Sequence, residues 1–213
     1  MPAPMHVAEV LWSDTGAVSY RLHDASNRWR AARGIGRLVL PRGDVIRHVD
    51  GLLDGGDDDA PAVDVGEACR EWWRRGVRHR DGDRPAMRTQ QPGKDGESLV
   101  VDERYYRRGV LHRDGDQPAI SITQHRLGTA AVARHLAWFV DGKSHRDGDR
   151  PALILRASDG ALKRIAFCRD GLTHRDASPS GKRRAAVVNP RENLGMFFRF
   201  GQWQSTFPPP LQP

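Results

Sequence analysis

His79-Arg80-Asp81-Gly82-Asp83-Arg84-Pro85-Ala86 returns at 112–119 as HRDGDQPA and at 145–152 as HRDGDRPA. An active site is normally assembled once, whereas a structural joint recurs with every unit of a repeating fold, so the phrase reads as architecture first. Aligned on the histidine, the copies extend backwards through Trp72-Trp73-Arg74-Arg75-Gly76, Tyr105-Tyr106-Arg107-Arg108-Gly109 and Trp138-Phe139-Val140-Asp141-Gly142. Each is a pair of aromatics, a glycine three residues on and a histidine three further. His79, His112 and His145 follow one another at intervals of 33 residues, and a fourth copy, Phe167–Asp176 with Gly171 and His174, comes after 29 and drops the ending, like a cap.

The motif copies lie at 72–87, 105–120, 138–153 and 167–176. An earlier worn copy is read at 48–63, with Asp50-Gly51 as its turn, Pro61-Ala62-Val63 as its ending and Asp54 in the histidine position. Phe197-Phe198-Arg199-Phe200-Gly201 opens another.

After Pro118 the run Ala119-Ile120-Ser121-Ile122-Thr123 alternates apolar and polar, the period of a strand with one buried face. Pro92-Gly93-Lys94-Asp95-Gly96 and Ser158-Asp159-Gly160 carry the turn chemistry that separates strands. Each unit is therefore expected to be two strands, with the adjacent rings on opposite faces of one of them. Val7–Trp12 with Ala17–Tyr20, and Arg37–Leu40 with Val45–Val49, read as further hairpins. Glu67–Trp73 and Thr129–Leu136 are the best helix candidates, both short, and over Ala130–His135 a strand or a helical turn would serve equally.

The pattern aromatic-aromatic-x-x-Gly-x-x-His, followed by an acidic Gly turn and Pro-Ala, resembles the variant MORN-type repeats of bacteria and viruses, over about 72–176 and more weakly 45–66. The resemblance implies stacked antiparallel β-hairpins and an interaction scaffold rather than an activity. The 33-residue period departs from that family's shorter one, so each unit should carry a longer loop. The expected fold is all-β, an elongated antiparallel meander of stacked hairpins with little helix. Residues 1–66 would be degenerate hairpins continuous with the rest, 67–177 the repeats, and 178–213 a cap with a Pro-rich tail, FPPPLQP.

The net charge of +7 rests almost wholly on arginine, since only four of the 34 basic residues are lysine. Guanidinium groups suit phosphate, carboxylate and aromatic faces, although an Arg-rich, Lys-poor surface also follows from a GC-rich genome. Two cysteines without paired spacing indicate neither a disulfide framework nor a zinc ribbon. No apolar run nears the roughly 20 residues that cross a bilayer, and the start lacks the pattern of a secretory leader, which points to the cytoplasm.

His-Arg-Asp also occurs in the protein-kinase catalytic loop, but the metal-binding Asn, glycine-rich loop and Asp-Phe-Gly are missing. Each Asp-Gly-Asp supplies too few oxygens for a calcium cage, and repeated histidines without converging cysteine or carboxylate make a poor zinc site. Cys168 lies near Arg169 and His174 but aligns with Trp73, Tyr106 and Phe139, a packing position. No catalytic residue, metal or cofactor is expected.

The structural positions are Trp73, Gly76, His79 and Pro85; Tyr106, Gly109, His112 and Pro118; Phe139, Gly142, His145 and Pro151; and Gly171 with His174. Arg80, Arg113, Arg146 and Arg175 form a ladder, either of salt bridges to the Asp residues beside them or of contacts to a partner. Arg74, Arg75, Arg107, Arg108, Lys182, Arg183 and Arg184 are further contact candidates. The expected function is a non-enzymatic scaffold docking another protein; the alternative is nucleic-acid binding, with the ladder on phosphates and surface aromatics on bases.

Overall fold

In the computed structural model, which describes residues 5–21 and 30–207, the chain is all-β. Among the described residues there is no helix, hence none long and apolar enough to cross a membrane. The strands follow one another as an antiparallel meander of hairpins, with Met5–His6 pairing parallel to Ile35–Val39. Both helix candidates are strand instead, Cys69–Glu71 and Val132–Ala137. Each is short and pairs with neighbours along its length, so the local helical pattern loses to the ladder. The Pro-rich end beyond Phe207 lies outside the described residues.

The chain divides into two compact units, Met1–Gln90 with Arg104–Val110, and Gln91–Glu103 with Leu111–Pro213. In the first, Ile35–Val39, Val45–Val49, Val63–Val65 and Cys69–Glu71 pair in that order, and Glu9–Trp12, Val18–Arg21 and Arg30–Ala31 form a second sheet. Val10 and Val18 of the second sheet bury against Leu38, Ile46 and Val63 of the first, and Trp73 closes the cluster. In the second unit Ile120–Arg126, Val132–Ala137, Leu153–Arg156, Leu162–Ala166, Val187–Asn189, Leu194–Arg199 and Gln202–Phe207 pair consecutively.

A unit of the repeat holds more than two strands. Val132–Ala137 ends at Trp138, the chain turns a corner there, and Phe139–Val140 with Lys143–Ser144 makes a separate two-stranded hairpin before the His-Arg-Asp loop leads into Leu153–Arg156. The same side hairpin is built by Trp73–Arg74 with Val77–Arg78 and by Cys168–Arg169 with Leu172–Thr173. The long period is spent on this hairpin. The aromatic pair consequently does not straddle one strand: its first ring sits at the corner and its second opens the hairpin.

The corner is pinned on both sides of its peptide. The N–H groups of Trp72, Trp138 and Phe167 donate to the carbonyls of Ala86, Ala152 and Ala186 at 2.7–2.9 Å, and their carbonyls accept from the N–H groups of His79, His145 and His174 at 3.0–3.1 Å. Those alanines, with Ala62 and Ala119, are fully buried. A larger side chain would have to displace close-packed neighbours. The fourth copy keeps this ending: Ala185-Ala186 replaces Pro-Ala, displaced by a longer loop.

His48, in Val45–Val49, is 3% exposed, and its Nδ1 has no hydrogen-bond partner. Gly36 makes room for it, since a Cβ there would stand 2.3 Å from Nε2. Burial pushes the imidazole pKa below its usual 6.5, partly offset by the Gly34 carbonyl and Asp50. The contribution to stability is therefore complete above 6.5 and is lost as pH falls below it, because the unfolded chain takes up a proton that the folded one resists. Denaturant midpoints followed from about pH 8 to pH 5 should fall more steeply for the wild type than for His48→Gln; parallel curves would refute this.

Candidate functional site

The chemistry-bearing residues of the repeated phrase meet one another. Arg75, Arg108, Asp141 and Asp170 have φ of 46°, 51°, 46° and 50°, and each precedes a glycine at 78–86°. Two successive residues in the left-handed region make the two-residue turn that matches the twist of a short hairpin, and glycine at the second position relieves half its strain.

Each turn is held by the copy before it. The N–H groups of Gly109, Gly142, Gly171 and Gly201 donate to the carbonyls of Arg78, Leu111, Ser144 and Thr173 at 2.8–3.0 Å, each the residue just before a histidine. The residue ahead of the glycine donates its N–H to that histidine's Nδ1: Arg108 to His79 at 3.4 Å, Asp141 to His112 at 3.0 Å, Asp170 to His145 at 3.1 Å and Phe200 to His174 at 3.3 Å.

An Nδ1 that accepts leaves the ring proton on Nε2. Nε2–H then donates to Asp81, Asp114, Asp147 and Asp176 at 2.9–3.1 Å. The four histidines thus bridge their own loop to the next copy's turn. At His112 and His145 the carboxylates of Asp141 and Asp170 also stand 3.1 and 3.2 Å from Nδ1. Asp54 does the same work in the worn copy, one carboxylate oxygen accepting from the Arg75 N–H at 3.0 Å and the other from Gly56 at 2.9 Å.

The arginine after each histidine is used three ways. Arg80, Arg113 and Arg146 donate Nη1–H to the carbonyls of Pro85, Pro118 and Pro151, and Arg175 to that of Ala185, at 3.1–3.3 Å. Arg80, Arg146 and Arg175 lie over the corner rings of Trp72, Trp138 and Phe167 at 3.7–3.8 Å. The same three fork onto an aspartate of the preceding copy through Nε and Nη2, Arg80 to Asp59, Arg146 to Asp116 and Arg175 to Asp149, at 2.7–3.0 Å.

A second arginine completes each clamp: Arg84 on Asp59, Arg150 on Asp116 and Arg184 on Asp149. The forks hold all three carboxyls below the usual 3.8. Their stabilisation is present above that value and is lost only as pH falls through the depressed one.

The remaining candidates are scattered. Arg74 faces Asp57 at 3.3 Å, Arg75 and Arg108 are exposed turn residues, and Arg107 and Lys182 are exposed. Arg183 lies 5.1 Å from the Phe197 ring. Trp73 is buried, its indole N–H on Glu71 at 2.7 Å, while Tyr106 and Phe139 are half-buried. Cys168 lines the same hollow as His174 and Asp176, but both ring nitrogens of His174 are engaged and leave no base for a thiol. Burial, then Glu71, pushes the Cys69 thiol up to about 11, which suits an unreactive filler.

Sequence reasoning missed the corner rings Trp72, Trp138 and Phe167 as arginine platforms. The recurring pair of aromatic and arginine eight residues apart was the available signal. Among the described residues no three His, Cys, Asp or Glu side chains converge to hold a metal ion. Comparison of the chain with models of protein families, with characterised proteins and with solved structures found no match.

Proposed function

We propose that this chain is a non-enzymatic scaffold of MORN-type β-hairpin repeats that docks another protein with its exposed surface, as an accessory, assembly or immunity-type factor of a bacterium or phage, working in the cytoplasm. The observation that carries the reading is the mutual occupation of the motif. Histidine, aspartate and arginine of each copy are bonded to one another and to the neighbouring copy, so the repeated chemistry is spent on holding the copies together.

The nucleic-acid alternative asks the arginine ladder to grip phosphates. Three of its rungs already hold a carboxylate with both fork nitrogens, and a phosphate would have to displace it. A titration of the full chain against DNA and RNA at two salt concentrations decides between the readings. Phosphate binding weakens steeply as salt rises, and the scaffold reading expects no saturable binding at either concentration. Cross-linking in the native cell should then give a protein attached to the repeats. Saturable, salt-sensitive binding lost on substituting Arg146 would overturn the scaffold reading.

A further inference from the structure

Resting on the scaffold reading, we infer that the groove beside the last hairpin is the docking site for an acidic segment of the partner, whose carboxylates fork onto Arg183 and Arg199. The groove has a volume of about 380 Å³ and lies between the loop that carries Arg183 and Arg184 and the paired strands Leu194–Arg199 and Gln202–Phe207. Phe197 and Phe198 form part of its wall.

Its charge is more one-sided than that of the earlier hollows. The equivalent hollow between the second and third copies sets Arg113, Arg146 and Arg150 against Asp114, Asp116 and Asp147. The last groove has Arg175, Arg183, Arg184 and Arg199 against Asp176 alone. Arg175 and Arg184 belong to the clamp on Asp149. Arg183 and Arg199 are exposed, and among the described residues neither has a carboxylate partner.

The cause is visible in the sequence. Counting from the histidine, the fifth letter that is Asp83, Asp116 and Asp149 in the first three copies is Ser178 in the fourth, so the acid that would meet a following pair of arginines is missing. The partial fifth copy also lacks the clamp arginines, Gln204-Ser205 standing where the others have His-Arg, so Arg183 and Arg199 lie outside the repeat's own pairing and are open to a carboxylate from outside the chain.

A carboxylate fits better than a phosphate chain for two reasons. The fork onto carboxylate is the geometry this protein repeats at Asp59, Asp116 and Asp149. Beyond the groove, acids are interleaved with the arginines, so no single-signed track continues for a polyphosphate backbone to follow. The half-buried phenylalanines add a place for an apolar side chain of the same segment.

The test is a fluorescence-polarisation titration of the full chain with a dye-labelled peptide alternating Asp-Glu pairs with single Phe residues, with unlabelled oligothymidylate as competitor. Saturable binding is expected, weakened about tenfold or more by Arg183→Glu/Arg199→Glu and also by the milder Arg183→Ala/Arg199→Ala. Lys163→Glu/Arg164→Glu, the same charge change elsewhere, should leave affinity within about twofold. All variants are compared after their unfolding midpoints are shown to match the wild type.

No saturable peptide binding, equal losses in the two Glu double variants, or displacement of the peptide by oligothymidylate at lower concentration than by unlabelled peptide would each overturn the assignment. If the groove variants still cross-link to the native protein partner, the groove is wrong and the scaffold reading stands. If nothing but nucleic acid is captured, both fall.

Discussion

Trp138→Ala should lower the unfolding free energy by about 3–5 kcal/mol, the range for deleting a buried aromatic ring. Trp138 is 6% exposed, its peptide bonds Ala152 and His145 on either side, and its ring is the platform for Arg146. Removing it opens a cavity at the corner and also frees a guanidinium that clamps Asp116 of the preceding copy, so two junctions loosen together.

The informative companion is Trp138→Phe. The next copy places Phe167 in the same position with Arg175 stacked on it at the same 3.8 Å, and the Trp138 indole N–H is buried without a partner. Phe gives up some contact area and sheds that orphaned donor, so the cost should stay below about 1.5 kcal/mol. Chemical denaturation of the three proteins measures both differences. A Phe variant as damaged as the Ala variant would mean the ring's size, and not its role as a platform, sets the corner.

His112→Ala comes next, at about 1–3 kcal/mol, the usual penalty for leaving a buried polar group unpaired. His112 is 7% exposed and joins Asp114 of its own loop to the Asp141 N–H of the following turn. That turn residue is already in the left-handed region, so the strain of φ 46° loses the bond that holds it. His112→Asp should recover part of the loss, because Asp54 accepts the Arg75 N–H at the corresponding point of the worn copy. Equal stabilities for the Ala and Asp variants would show that the acceptor contributes nothing and that the ring matters only as filling.

The hairpins Glu9–Trp12 with Val18–Arg21 and Ile35–Val39 with Val45–Val49 were legible because alternation and a Gly-containing turn lie within a dozen residues of each other. The side hairpins were not. Arg75, Arg108 and Asp141 carry no signature of positive φ in their own side chains; the conformation is imposed by the glycine that follows and by a distant acceptor, Asp54 for Arg75 and a histidine 29 residues away for Arg108 and Asp141. Glu67–Trp73 shows the same limit from the other side. Its residues permit a helical turn, and only pairing with Val63–Val65 and Met87–Pro92 makes Cys69–Glu71 a strand.

The candidate residues fared by the same logic. The letters His, Arg and Asp identified what recurs. Whether an arginine faces solvent or its neighbour's carboxylate depends on the register between copies, and that is written in no single copy.

The histidine and clamp bonds between copies, among the described residues, run one way: a histidine and an aspartate upstream receive a turn amide and a pair of guanidinium groups from downstream. Such a linkage has polarity, each copy's hook taking the next copy's eye. Its two extremities are chemically unlike, so lengthening it by gene duplication would preserve fit only when a whole period is inserted in frame with the hooks.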